Sequence, residues 1–273
     1  MIPFSVCISV YRNDNAPHFI EALHSISTNQ TVKPNEIILV VDGPIGNNIE
    51  NAISQLTKEF SNLKIIRLQK NSGHAIARQT AVSASTTEII AFMDSDDIAL
   101  PNRFEKQLNY FETHPQTDVL GGQITEFINQ TDNVVGKRVV PLTDSEIKTY
   151  LKQRCPMNFV TIMIKKTALN KVGGIIDWFC EEDYYLWIRM ALANCVFANL
   201  QATLVNVRVG EEMYKRRGGW RYFKSEKDIQ TFMLKHNIIT LPRYIYNVCG
   251  RFFIQVLMPN SFRSFIFQKL FRK

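Results

Sequence analysis

Apolar residues come in short dense runs over the first hundred positions, and the runs alternate with stretches of wider spacing. FSVCISVY (4–11), EIILVVDG (36–43), LKIIRL (63–68) and TEIIAFMD (87–94) are β-branched or aliphatic, the texture of strands buried on both faces. Between them IEALHSIS (20–27), residues 48–60 and the small-residue segment GHAIARQTAVSAS (73–85) place apolar side chains three or four apart, which predicts helices. Strand and helix alternating at this length imply right-handed crossovers and an α/β fold whose parallel sheet is covered on both faces. In such sheets ligands gather at the carboxyl ends of the strands.

After Pro101 the pattern changes. A helix is expected over 102–114, and then DVLGGQITEFI (118–128) and NVVGKRVVPL (133–142) look like longer antiparallel strands. MNFVTIMIKKTALNKVGG (157–174) reads as strand, short helix and glycine stop, and EEDYYLWIRMALAN (181–194) as an amphipathic helix that buries Trp187 and opens on three acids, where a helix dipole favours them. Residues 210–273 are helical, aromatic and basic.

Charge sharpens the division. The net charge is +7, but residues 208–273 hold 14 Lys and Arg against four Asp and Glu, leaving the first 207 residues acidic with 18 against 21. An acidic body offers no groove for nucleic acid, so none is expected as a partner. The five cysteines are odd in number and scattered, which argues against a disulfide framework and points to a reducing, cytoplasmic setting. The opening MIPFSVCISVYRND lacks the basic and apolar regions of a signal peptide, and no segment has the roughly 18 uninterrupted apolar residues of a spanning helix. No histidines fall at a zinc-ligand spacing.

The candidate chemistry lies in two acidic groups. Asp94, Asp96 and Asp97 crowd the end of the fourth strand, where like charges need a compensating cation or open solvent. A solvated turn that caps the following helix is one reading. The other is that Asp94 and Asp96 aim oxygen ligands at Mg²⁺ or Mn²⁺, cations that prefer few carboxylates, several waters and phosphate oxygens, so that the cargo is a diphosphate. Glu181, Glu182 and Asp183 form the second group, for which helix capping is the plain alternative.

The order of these segments resembles the family-two glycosyltransferases of the GT-A fold, inverting enzymes that use nucleotide-diphospho sugars. SVCISVYRND is similar to that family's first strand and nucleotide-contacting loop, and EIILVVDGP to its second strand ending in a base-binding acid. NSGHAIARQ is similar to its Asn-x-Gly…Ala-Arg segment, DSDDIALP to its metal-binding Asp-x-Asp region, and CEEDYYLWIRM to the Glu-Asp pair holding the catalytic base. The resemblance covers about residues 4–220. It implies a GT-A domain over 1–209, a Rossmann-like mixed sheet with helices on both faces, divided into a nucleotide-sugar-binding half (1–100) and an acceptor-binding half (101–209). A basic, aromatic helical extension follows over 210–273.

By the same resemblance Asp183 is the general base, and Glu182 orients the acceptor or the loop. Asp96 is a metal ligand supported by Asp94, the cofactor being Mn²⁺ or Mg²⁺. Tyr11, Asp42, Asn71, Arg78 and Asp94 line the donor site, Asp42 accepting from the nucleobase and Arg78 reaching the diphosphate or sugar. Glu181 and Trp178 belong to the acceptor side, where Trp178 either stacks on a sugar or anchors its loop. Two departures bear on the base pocket: Ser9-Val10-Tyr11 replaces the usual Pro-Thr-Tyr, and Val41-Asp42-Gly43-Pro44 the usual Asp-Asp-Gly-Ser. In the segment after the catalytic helix, where the family often carries a residue that contacts the metal or diphosphate, Gly210 stands in place of the common histidine, which would pass that role to Lys215, Arg216 or Arg217.

The implied reaction moves a sugar from a donor, preferably UDP-linked, to a hydroxyl of a glycan or lipid-linked acceptor in lipopolysaccharide, capsule or exopolysaccharide synthesis. Phe, Ile and Leu alternating with Arg and Lys over 241–273 suit a peripheral contact on the inner face of a bacterial plasma membrane, with packing on the catalytic domain as the alternative. A haloacid-dehalogenase-like phosphatase also uses Asp-x-Asp at a strand end, but Ile98 stands where that motif wants Thr or Val, and three strands come first. A non-enzymatic membrane-surface protein is the other rival.

Overall fold

The computed structural model describes residues 2–210 and 218–258. Nine strands, β1 (Phe4–Val10), β2 (Glu36–Val41), β3 (Leu63–Arg67), β4 (Ile89–Met93), β5 (Ile98–Ala99), β6 (Val119–Phe127), β7 (Val134–Arg138), β8 (Met163–Lys165) and β9 (Phe197–Arg208), form one sheet in the order 3-2-1-4-8-6-9-5, with β7 on β6. The first four are parallel. The sheet then turns mixed: β4–β8, β8–β6, β6–β7 and β5–β9 are antiparallel, while β6 and β9 run parallel. Both predicted halves therefore share a single sheet.

The helices are α1 (Ala16–Ser25), α2 (Asn47–Glu59), α3 (His74–Ala84), α4 (Arg103–Thr113), α5 (Asp144–Leu151), α6 (Lys166–Lys171), α7 (Glu182–Leu192), α8 (Trp220–Lys235) and α9 (Leu241–Phe252). Alternate residues of the strands feed two separate cores. Val6, Ile8, Leu39 and Val41 pack under Phe19, Ile53, Leu56 and Phe104 of α1, α2 and α4. Cys7, Ile38, Val40 and Phe92 pack on the opposite face under Ala81, Ile147, Leu169 and Trp187 of α3, α5, α6 and α7. This is the three-layer arrangement expected of strands that read as continuous apolar runs. Alanines at 75, 77 and 81 let α3 lie close to the sheet.

The sequence reading needs three corrections. Helix α1 begins four residues earlier than the apolar spacing indicated, because Asn15 caps it by accepting from the His18 N–H and Pro17 fits the first turn. Helix α5 was not anticipated, although Thr143 and Glu146 form a capping box at its start. Strand β9 was not anticipated either. Its polar residues interrupt the apolar run, and its order comes from pairing with β6 and β5.

The described part of the C-terminal extension is helical, as expected. Ile229 and Met233 of α8 enter the second core, and α9 lies against α8. Residues 215–217 and 259–273, which carry part of the basic stretch, lie outside the described residues.

Candidate active site

Four loops converge at the carboxyl ends of β1, β2 and β4. Asp42, the first residue after β2, is buried, and its two carboxylate oxygens accept from the backbone N–H groups of Ser72 (2.7 Å) and Gly73 (2.9 Å). Gly43 permits the close approach. Its φ is +86°, and a Cβ there would stand 2.4 Å from the backbone nitrogen of Asn71. Asn71 itself is exposed, its side chain donating to the Asp42 carbonyl at 3.5 Å. Tyr11, half-buried, opens a tight turn in which its N–H donates to Asp14 Oδ2.

The same Asp14 oxygen accepts from Ser95 Oγ at 2.8 Å, tying the first loop to the aspartate cluster. Asp97 is buried and accepts from the backbone N–H of Arg208 at 2.8 Å, and burial together with Asp96 and Asp94 holds its carboxyl well above the usual range. Asp96 is exposed at the rim, yet partial burial of its carboxyl and the proximity of Asp94 and Asp14 push it up to about 6.

Beneath the cluster lies a buried cation that the sequence did not reveal. Arg103 donates to the Phe92 carbonyl (2.8 Å) and to Gln107 (3.2 Å), and burial pushes its guanidinium down to about 9 against the pull of Asp94 and Asp97. The acids are thus partly compensated from below by Arg103 and from the side by Arg208.

The two acidic groups meet across Arg78. Its Nη2 donates to Asp94 Oδ1 at 2.9 Å and its Nη1 to Glu182 Oε1 at 3.0 Å, while the guanidinium stacks 4.0 Å above the Phe159 ring. Asp94 keeps a side chain 39% exposed. Burial raises its pKa, but Arg78 and His74 outweigh that and hold the carboxyl below its ordinary range. Glu182 goes the other way, raised by burial and by its neighbour Asp183 more than Arg78 lowers it.

Asp183 is half-buried in the first turn of α7. Its Oδ1 accepts from the Tyr184 N–H, and its Oδ2 lies 3.5 Å from the Cys155 thiol, which burial and Asp183 keep protonated. Trp178 is fixed at both ends: its indole N–H donates to the Ser225 carbonyl at 3.3 Å, and its ring lies 4.5 Å from that of Tyr185. That geometry is the loop anchor. Glu181 is buried and accepts from the Tyr222 hydroxyl at 2.6 Å. Phe179 and Ile176 are the large apolar side chains this loop shows to solvent.

Asp14, Arg103, Arg208 and Cys155 escaped the sequence reading. Each acts on a partner 10 to 111 residues away, Asp14 on Ser95 at a separation of 81, Arg103 on the Phe92–Met93 strand end, Arg208 on Asp97, and Cys155 on Asp183. Gly210 is exposed, and Lys215, Arg216 and Arg217 lie outside the described residues.

The oxygen-only set of Asp94 and Asp96 fits a hard divalent cation. Among the described residues no three His, Cys, Asp or Glu are grouped so as to hold a metal ion by themselves.

Solved structures share this arrangement of strands. Staphylococcus aureus TarS (residues 1–349) in complex with UDP-GlcNAc superposes with a TM-score of 0.64 over 97% of this chain and 75% of that one, at 20% identity. A mannosyltransferase from Pyrobaculum calidifontis, in complex with GDP-Man and Mn²⁺, superposes with a TM-score of 0.64 over 96% and 72%, at 13% identity. At such identities the likeness establishes the fold, which is GT-A.

The chain belongs to glycosyl transferase family 2, whose family model matches residues 5–179. The phosphatase and non-enzymatic readings fall with that assignment. Among its relatives is an Escherichia coli UDP-Gal:α-D-GlcNAc-diphosphoundecaprenol β-1,3-galactosyltransferase, 34% identical over 271 residues, 99% of this chain and 97% of the relative. The amylovoran biosynthesis glycosyltransferase AmsE of Erwinia amylovora is 33% identical over 232 residues, 85% of each chain. Escherichia coli WfgD, a UDP-Glc:α-D-GlcNAc-diphosphoundecaprenol β-1,3-glucosyltransferase, is 30% identical over 67% of this chain and 69% of its own length.

Proposed function

We propose that this glycosyltransferase moves a hexose-type sugar from a UDP-sugar, with inversion, onto a sugar hydroxyl of a lipid-diphosphate-linked acceptor during assembly of a bacterial surface polysaccharide. The reading is carried by the Arg78 bridge, which puts the Asp-x-Asp strand end and the Glu-Asp helix start within one guanidinium's reach of each other. The activities named for the two E. coli relatives favour the UDP donor and the lipid-linked acceptor.

In this scheme the donor lies along the carboxyl ends of β1, β2 and β4. Tyr11 and Asp42 flank the nucleobase, with Asn71 at the pocket wall and Arg78 at the diphosphate or sugar. Asp96, with Asp94, would hold Mn²⁺ or Mg²⁺. A bound divalent cation supplies stabilisation of the charge that develops on the departing diphosphate. Asp183 takes the proton of the acceptor hydroxyl as that oxygen attacks the anomeric carbon, and the nucleoside diphosphate leaves from the opposite face. An aspartate is a weak base at rest, so its contribution comes from position and from late proton transfer.

A lipid-linked acceptor requires the catalytic cleft to work beside a membrane. Among the described residues no helix is long and apolar enough to cross one. Helix α9 and the turn after it instead expose Leu241, Ile245, Phe253 and Leu257 at spacings of four and eight, with Tyr246 beside them, on a segment that carries Arg243 and Arg251 and is followed in the sequence by Arg263, Lys269, Arg272 and Lys273. That composition suits peripheral binding to an anionic bilayer.

The decisive experiment incubates the full chain with Mn²⁺, a panel of sugar nucleotides and a lipid-diphosphate-linked GlcNAc. Release of UDP and a new β-linked disaccharide are the expected products. Turnover with GDP- or dTDP-sugars but no UDP-sugar would overturn the donor assignment.

A further inference from the structure

The loop that precedes Asp183 is tied to the C-terminal helices, which lie beyond the region the family model matches. Tyr222 of α8 donates its hydroxyl to Glu181 at 2.6 Å. One turn on, Ser225 donates to the Phe179 carbonyl at 2.6 Å and accepts from the Trp178 indole at 3.3 Å. Arg221 places its guanidinium 3.8 Å from the centre of the Phe179 ring. Three residues of the 178–181 loop are therefore tied to three residues of one helix.

The loop needs that restraint. Cys180, between the tied residues, has φ of +59°, a left-handed conformation unfavourable for a side chain with a Cβ, and such positions persist where the neighbours over-determine them. Asp183 follows three residues later, in the first turn of α7.

The same helices also reach the other wall of the site. Asn247 of α9 donates to the Lys152 carbonyl (2.9 Å) and to Gln230 of α8 (2.8 Å), and Arg251 donates to the Gln153 carbonyl at 2.6 Å. That wall leads to Cys155, whose thiol faces Asp183. Glu226 of α8 closes the frame by pairing with Arg251 at 2.7 Å.

We propose that α8 and α9 position the acceptor half of the site, with Tyr222 the positioning residue that sets how the acceptor sugar approaches Asp183. The inference rests on the glycosyltransferase reading above and on Asp183 as base. None of these contacts touches the donor side directly: Asp42 is held by the backbone of residues 72–73 and Asp94 by Arg78, whose other arm reaches Glu182 rather than the 178–181 loop. Damage to the α8 grip therefore separates acceptor from donor behaviour.

The test uses the full chain carrying Tyr222→Phe, which keeps the ring and removes the donor to Glu181, alongside Ser225→Ala. Each variant should raise the acceptor KM or lower kcat by about five- to tenfold, the scale of one lost buried hydrogen bond. Donor KM and the slow hydrolysis of the sugar nucleotide without acceptor should stay at the parent values. Backbone amide exchange over residues 176–182 should quicken in both variants.

Unchanged acceptor kinetics with unchanged exchange would overturn the proposal. So would a loss that falls equally on donor hydrolysis and transfer, because a general structural role predicts that. If the parent chain released no nucleoside diphosphate from any sugar nucleotide, the transferase reading would fail instead, and the exchange measurement would still decide whether α8 holds the loop.

Discussion

Arg78 and Glu182, 104 residues apart in the chain, meet at 3.0 Å, and the other arm of the same guanidinium holds Asp94. The side chain is nine-tenths buried at this junction, stacked on Phe159. It is a structural tie between the two acidic groups.

Removing that cation leaves two carboxylates facing each other in a partly buried space. Breaking a fully buried pair costs about 3–5 kcal/mol, and the partial exposure of Asp94 reduces this to roughly 2 kcal/mol. Arg78→Ala should therefore lower Tm by roughly 4–8 °C in a thermal melt and abolish measurable donor turnover. Arg78→Lys should restore much of the Tm but little of the turnover, since one ammonium cannot serve both carboxylates in the same geometry.

Asp96 and Asp183 should fail differently. Asp96→Ala should lose Mn²⁺-dependent binding of UDP in a calorimetric titration, and EDTA should reproduce that loss in the parent chain. Asp183→Asn should bind UDP and Mn²⁺ as the parent does while transfer falls by about 10²–10⁴, the usual span of general-base catalysis. Near-parental turnover in Asp183→Asn would remove it from the base position.

Glu36 predicts an acid-sensitive fold. Its buried carboxylate is bound by Lys64, by Ser5 Oγ at 2.6 Å and by Thr86 through both N–H and hydroxyl. Burial alone would raise its pKa, but these partners outweigh it and bring the carboxyl down to about 2. The folded value lies below that of the unfolded chain, about 4.3, so this stabilisation is complete above about pH 4.5 and disappears as pH falls toward 2. Its size is on the order of 3 kcal/mol. Urea melts should show Glu36→Gln destabilised at pH 7 and nearly matched to the parent near pH 2.

Gly43 should tolerate no side chain. Alanine there would face a positive φ and a backbone nitrogen at 2.4 Å, so Gly43→Ala should cost about 1–3 kcal/mol and push residues 71–73 away from Asp42. Weaker UDP binding with little change in acceptor KM is the expected kinetic signature.

Much of this site is visible in the one-dimensional pattern, because its parts lie at strand and helix ends. Asp42 closes β2, Asp94 closes β4, and Asp183 opens α7, each marked by an apolar run beginning or ending beside an acid. The countercharges are not visible in that way. Arg103 reads as an ordinary first-turn residue until the fold puts it under Asp94 and Asp97. Trp178 could equally stack or anchor in the sequence, and only the Ser225 carbonyl, 47 residues on, makes it an anchor. Strand β9 lacked both simple periods because it is partly exposed and is ordered by neighbours rather than by its own composition.

That late strand bears on how the protein can be made. Arg208, at its end, clasps Asp97 through its backbone N–H and Glu21 through its guanidinium, 187 residues back. A ribosome must extend the polypeptide past residue 208 before these contacts can close, so Asp97 and Glu21 wait for a partner that is synthesised late. Until then the acidic cluster of the nascent chain lacks one of the groups that hold it.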